Sequence, residues 1–147
     1  MSNPRDLRRT LKDVLSTQRF CVLATQGEGQ PYGSLLAFAK TEDLKQLVFA
    51  TNRSTRKFSN LVSEPRVALV IDSRSNSESD LKNAVAITAV GPAHEATGHE
   101  RERLARVYLA KHPNLAEFIG SPEVAICTVV VEEYVVAKFR EVTRLRP

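Results

Sequence analysis

No run of about 18 apolar residues occurs in this sequence, so no segment reads as a membrane-spanning helix. The stretch Met1-Ser2-Asn3-Pro4-Arg5 lacks the apolar centre of a secretion signal. Cysteine is scarce. Cys21 and Cys127 each sit in an apolar, strand-like run and form no C-x-x-C, so they read as reduced, buried thiols of a cytoplasmic protein. His94, His99 and His112 are the only histidines. None belongs to an H-E-x-x-H and none adjoins a cysteine, so all three read as surface residues and no metal site is expected. The Walker A, G-x-G-x-x-G and G-x-S-x-G motifs are absent, and Gly27-Glu28-Gly29 reads as a turn. Aromatic residues make up 6% of the chain and do not alternate with its cations. That speaks against single-stranded nucleic acid as the partner. A net charge of +4 suits attraction of a small anionic ligand equally well.

A length of 147 residues and 42% hydrophobic content fit one domain with a real core. Leu7, Leu11, Val14 and Leu15 recur at helical spacing, predicting an amphipathic helix over 6–18. Strands are predicted at 20–25, 32–40 and 46–50, with tight turns at 26–31 and 41–45 that imply antiparallel pairing. A fourth strand is expected at 66–71. Ser73 to Asp80 reads as a polar, disordered loop. A long strand over 83–95 contains Gly91-Pro92, the mark of a bend where a sheet curls into a barrel. A helix over 98–111, one further helical turn near 115–119, a last strand over 124–139 and an exposed tail from Arg140 complete the order. Adjacent Glu132 and Glu133 would point to opposite faces of that strand and read as structural. The expectation is a mainly β chain, a six-stranded antiparallel barrel with flanking helices.

The most informative stretch is 49–61. A strand ends at Phe49-Ala50-Thr51-Asn52, the chain turns, and a helix begins with Ser54 as the expected N-cap. Phe58, Leu61 and Val62 give that helix one apolar face, and Pro65 ends it. Arg53, Arg56 and Lys57 crowd its first turn. Free N–H groups and partial positive charge already gather there, so an anion such as phosphate would satisfy both. A solvated, charged helix start is the alternative.

With that stretch in place, residues 7–139 resemble the pyridoxamine 5′-phosphate oxidase-like family, the FMN-binding split barrels. Val22-Leu23-Ala24-Thr25, Gly29-Gln30-Pro31-Tyr32, Phe49-Ala50-Thr51-Asn52, Thr55-Arg56-Lys57, Asn60-Leu61 and Glu64-Pro65-Arg66-Val67-Ala68-Leu69 carry the resemblance in order. It implies a Greek-key split barrel that forms a homodimer with FMN at the subunit interface. It implies that Arg56 and Lys57 hold the FMN phosphate and that Ala50, Thr51 and Asn52 line the flavin. Ser34, Leu35, Leu36 and Ala37 would run beside its ring. The chain departs from the true oxidase in three places. Ser34 stands where that enzyme has arginine, the strand Ala84-Val85-Ala86-Ile87-Thr88 lacks its flavin-contacting glutamine, and the C-terminal Trp and Arg segment has no counterpart. The resemblance therefore implies a flavoprotein oxidoreductase acting on an unknown small substrate, with pyridoxamine 5′-phosphate not turned over. No general acid or base stands out. A non-catalytic flavin carrier, a haem-binding or haem-degrading barrel and a deazaflavin-dependent reductase are the alternatives.

Overall fold

A computed structural model describes residues 3–147. Helix α1 spans Pro4–Thr17, started by Asn3, whose side chain accepts from the Arg5 N–H. Strands β1 (Phe20–Gly27) and β2 (Gln30–Lys40) form a hairpin. Its two-residue turn places Glu28 at φ 53° and Gly29 at φ 79°, the double left-handed geometry that matches strand twist. There follow β3 (Gln46–Asn52), α2 (Arg56–Ser63) and β4 (Arg66–Asp72). Then come a short α3 (Asp80–Asn83), β5 (Val85–Glu95), α4 (Gly98–Lys111) and a 3-10 turn at Pro113–Leu115. The chain continues through α5 (Ala116–Gly120), β6 (Val124–Val130), β7 (Glu133–Lys138) and β8 (Glu141–Leu145).

Six strands close an antiparallel barrel in the order β1-β2-β3-β6-β5-β4, because β4 pairs with both β5 and β1. The β3-to-β4 step skips neighbours, as a Greek key does. Two strands serve as corners. The first part of β2 pairs with β1, while Phe38 to Lys40 pairs with β3. The first part of β5 pairs with β4 and β7, while Ala93 to Glu95 pairs with β6. Gly91 sits at that second corner. A Cβ there would overlap the carbonyl oxygen of Val130, so the close approach of the two strands requires glycine. Leu23, Phe49, Leu69, Ile87 and Cys127 fill the barrel, and the apolar face of α1 is part of the same core. A second cluster lies outside β3 and β6, where Val48, Ala50, Val124 and Ile126 meet Leu104 and Tyr108 of α4 and Ile119 of α5.

Two expectations need correction, and a third gains an element. The predicted last strand over 124–139 is two strands, broken where the Val131 N–H bonds the Lys45 carbonyl and the Glu132 N–H bonds that of Val90. The tail from Arg140 is largely exposed, as expected, but it also forms β8 on β7, an element the sequence reading did not include. The hairpin is hard to read because Phe139, neither glycine nor asparagine, takes the left-handed position at φ 38°. The loop expected to be disordered is tied by Asp80, whose carboxylate accepts from the backbone N–H groups of Ser75, Asn76 and Ser77. These bonds hold the Asp80 carboxyl below its ordinary range.

Candidate functional site

The N-cap of α2 is Thr55, not Ser54. Thr55 Oγ1 accepts from the Phe58 N–H at 3.4 Å. Ser54 is already engaged, because Asn52 Oδ1 accepts from its N–H at 2.9 Å and its hydroxyl at 2.8 Å. The helix is fixed against β1 by Asn60, whose Nδ2 donates to Thr25 Oγ1 at 3.1 Å inside the fold. A side chain at Gly27 would overlap Asn60 Oδ1. The Asn60-Leu61 pair therefore sets where the first turn of α2 points.

The three cations of that turn have separated. Arg53 is committed elsewhere: its Nε and Nη2 donate to Glu95 at 3.0 and 2.6 Å, and Nη1 donates to the Pro122 carbonyl at 2.7 Å. Hydrogen bonding to Glu95 holds Arg53 above its ordinary pKa, and Arg53 in turn holds Glu95 below its own. The Arg56 guanidinium lies 4.6 Å over the Tyr32 ring. Lys57 has no ion-pair partner among the described residues and lines a groove of about 350 Å³.

That groove lies beside the corner where β2 leaves β1 for β3. Leu35, Leu36 and Ala37 of β2 line it together with Ala50, Thr51 and Asn52 of β3. The Thr51 and Thr55 hydroxyls meet at 2.9 Å on its wall. Seven of the residues singled out in the sequence thus share one groove. Ser34 and Arg56 are not among its lining. The far wall was missed in the sequence: Tyr108 of α4, Leu115 of the 3-10 turn and Phe118 of α5. The helix over 98–111 was legible, but nothing local said which strands it would meet.

His94 is exposed and lies 2.7 Å from Glu100, and His99 is also exposed. His112 corrects the surface reading. It is 5% exposed, and its Nε2 donates to the Phe38 carbonyl at 2.7 Å. No group of three or more potential metal ligands occurs among the described residues. Burial pushes both thiols, Cys21 and Cys127, up to about 12, so neither is a nucleophile at neutral pH. Glu132 pairs with Arg66 at 2.6 Å and Glu133 with Arg144 at 3.6 Å, as structural ion pairs.

The sequence profile of the pyridoxamine 5′-phosphate oxidase family matches residues 7–136. The chain belongs to that family. Solved structures with the same fold include a haem-binding protein from Mycobacterium smegmatis, 17% identical at a TM-score of 0.81. That match covers 90% of this chain and 55% of the other. Campylobacter jejuni ChuZ is 13% identical at a TM-score of 0.82, over 99% of this chain and 61% of the other. The chain therefore spans little more than half the length of either. An FAD-binding protein from Mesorhizobium loti is 18% identical at a TM-score of 0.66, over 86% of this chain and 89% of the other. At these identities the likeness shows the fold. No curated protein matches the chain in sequence. No helix among the described residues is long and apolar enough to cross a membrane.

Proposed function

We propose that this member of the pyridoxamine 5′-phosphate oxidase family binds FMN in the groove between β2, β3 and α4 and acts as a flavin-dependent oxidoreductase on a small substrate. The observation that carries the reading is the unpaired Lys57 ammonium, held on the first turn of α2 at the rim of that groove. Thr55 already takes the Phe58 N–H, which leaves the N–H groups of Arg56 and Lys57 without a helical acceptor, so a phosphate there gains both charge pairing and hydrogen bonds. Arg56, one residue before Lys57, joins it in holding the phosphate. Ala50, Thr51 and Asn52 lie along the flavin, with Ser34, Leu35 and Leu36 beside the ring. Leu35, Leu36, Leu115 and Phe118 supply an apolar setting that excludes water from it. Bound flavin supplies the redox chemistry, and the protein binds and orients it.

The active form is proposed to be a homodimer in the cytoplasm. The apolar run 124–136 does not argue for the dimer, because α4 and α5 of the same chain cover the outer face of β6. The outer face of the other sheet supports it better. Leu35, Val22, Val70, Thr88, Val135 and Arg144 stand in one cross-strand row and all stay partly or fully exposed. Leu35 itself is 72% exposed and also lines the groove, so a partner seated on this row would reach the flavin site. Two free, buried cysteines suit a reducing compartment.

Titration of FMN and riboflavin into wild type, Lys57→Ala and Arg56→Ala tests the reading. A charge-assisted hydrogen bond is worth about 1.5–3 kcal/mol, so Lys57→Ala should weaken FMN by about 10- to 150-fold. Riboflavin, without the phosphate, should bind wild type weakly and lose little further affinity. Equal losses for both flavins would sink the phosphate assignment. Haem is the second reading, favoured by the haem-binding neighbour. Against it, no histidine lines the groove. The visible spectrum of the purified protein separates flavin from haem.

A further inference from the structure

Tyr108 is 2% exposed, yet its hydroxyl has a poor partner. Its hydrogen bond, to the Ala37 carbonyl, is 3.5 Å long. That lies at the limit of a useful bond, where about 2.7–2.8 Å is usual for O–H···O. A buried hydroxyl so weakly engaged is uncommon, because an unmade hydrogen bond is costly away from water. Other buried polar groups are well served: Tyr134 donates to the Leu44 carbonyl at 2.7 Å, and His112, beside Tyr108, to that of Phe38 at 2.7 Å. The Tyr108 ring is held firmly. It packs with Leu104, Ala50 and Ile126, and it tilts against His112 at 5.1 Å between centroids. Both Tyr108 and Ala37 line the groove that Lys57 borders.

We propose that Tyr108 is a ligand-positioning residue, whose hydroxyl donates a hydrogen bond to a carbonyl or ring nitrogen on the edge of the planar ring system bound in the groove. The inference rests on the flavin reading and assigns the end of the ligand opposite the phosphate. The rest of this wall, Leu115 and Phe118, offers no hydrogen-bonding side chain, so Tyr108 is the wall's means of fixing how the ring is turned. Burial pushes its phenol up to about 12, so it remains a donor throughout the neutral range. A bond that reaches the ring tunes its electronics as well as its orientation.

The test uses the full chain, wild type and Tyr108→Phe, titrated with FMN and with riboflavin. A neutral hydrogen bond of ordinary strength predicts a loss of about 3- to 12-fold. The same loss is expected for both flavins, since the ring is common to them, and the visible absorption bands of the bound flavin should shift. This is the converse of Lys57→Ala, which should discriminate between the two. Thermal unfolding of the ligand-free variant should change little, because the hydroxyl gives up only the long contact to Ala37. Unchanged affinity and spectrum in Tyr108→Phe would overturn the assignment while leaving the flavin reading intact. A loss confined to FMN would overturn it too, by moving the hydroxyl to the phosphate end. Failure of wild type to bind either flavin would overturn the flavin reading, and the inference with it.

Discussion

The two sheets of the barrel are alike inside and different outside. The outer face of β3 and β6 is sealed by α4 and α5, with Val48 and Ile126 at 0% and 1% exposure. The outer face of β1, β4, β5 and β7 carries Val22, Val70, Thr88 and Val135, all partly exposed. The sequences reflect this. In β6, six consecutive residues are buried, Val124 to Val129, as in a strand covered on both sides. In β4, burial alternates residue by residue, as in a strand covered on one side only. The groove lies along the seam between the two regimes, where β2 passes from one sheet to the other. A site at such a seam has one wall of packed helix and one edge left open.

The largest expected effect breaks the sealed face. Val48→Lys would bury an unpaired ammonium against α4 and should cost at least about 4 kcal/mol. Chemical denaturation would read this as a lost or strongly lowered unfolding midpoint. Val70→Lys, on the open face, should cost under about 1 kcal/mol in the monomer. It should instead convert the proposed dimer to monomer, seen by sedimentation at micromolar concentration. A folded Val70→Lys dimer would remove the open face as the interface.

The corner between the sheets comes next. Gly91→Ala places a Cβ against the Val130 carbonyl, a backbone atom that cannot swing aside. A cost of roughly 1–3 kcal/mol is expected, as for other overpacked sites. Gly29→Ala makes a useful control, because nothing lies near its Cβ and its strain comes only from φ 79°. A larger loss from Gly29→Ala, measured by denaturant midpoint, would show that turn geometry outweighs the corner.

Alternation and turn chemistry explain why most of the barrel was legible in the sequence. The Glu28-Gly29 hairpin, the β4 pattern and the Gly91-Pro92 bend are local signals with single physical causes. The Thr51-to-Lys57 segment stood out as a candidate anion site because cations at a helix start are electrostatically out of place. What could not be read was which of those cations remains free. Arg53 pairs with Glu95, 42 residues further along the chain, and only the closed barrel brings them together. The β7–β8 hairpin was missed for a different reason. Phe139 holds its turn against its own steric preference, so the usual glycine or asparagine marker is absent. Covering of β6 by α4 and α5 was likewise invisible, because the strand's own residues do not say what packs on its outer face.

The smallest effect tests whether the two sheets are in fact equal inside. Cys21 belongs to β1 and Cys127 to β6, and both face the barrel core, at 2% and 0% exposure. Burial raises each thiol from an ordinary 9.0 to about 12. The sign follows from linkage. With the folded pKa above the unfolded one, the native state keeps its protons while the unfolded chain loses them. The stabilising contribution is therefore complete below pH 9 and fades as pH rises from 9 towards 12. Wild type should lose unfolding midpoint progressively over that window. Cys21→Ala and Cys127→Ala should each flatten the decline by a similar amount, whatever their separate costs at pH 7. Unequal flattening would mean that water reaches one sheet's inner face more readily than the other's. Faster modification of the same thiol by a small maleimide at pH 8 would identify the side that opens.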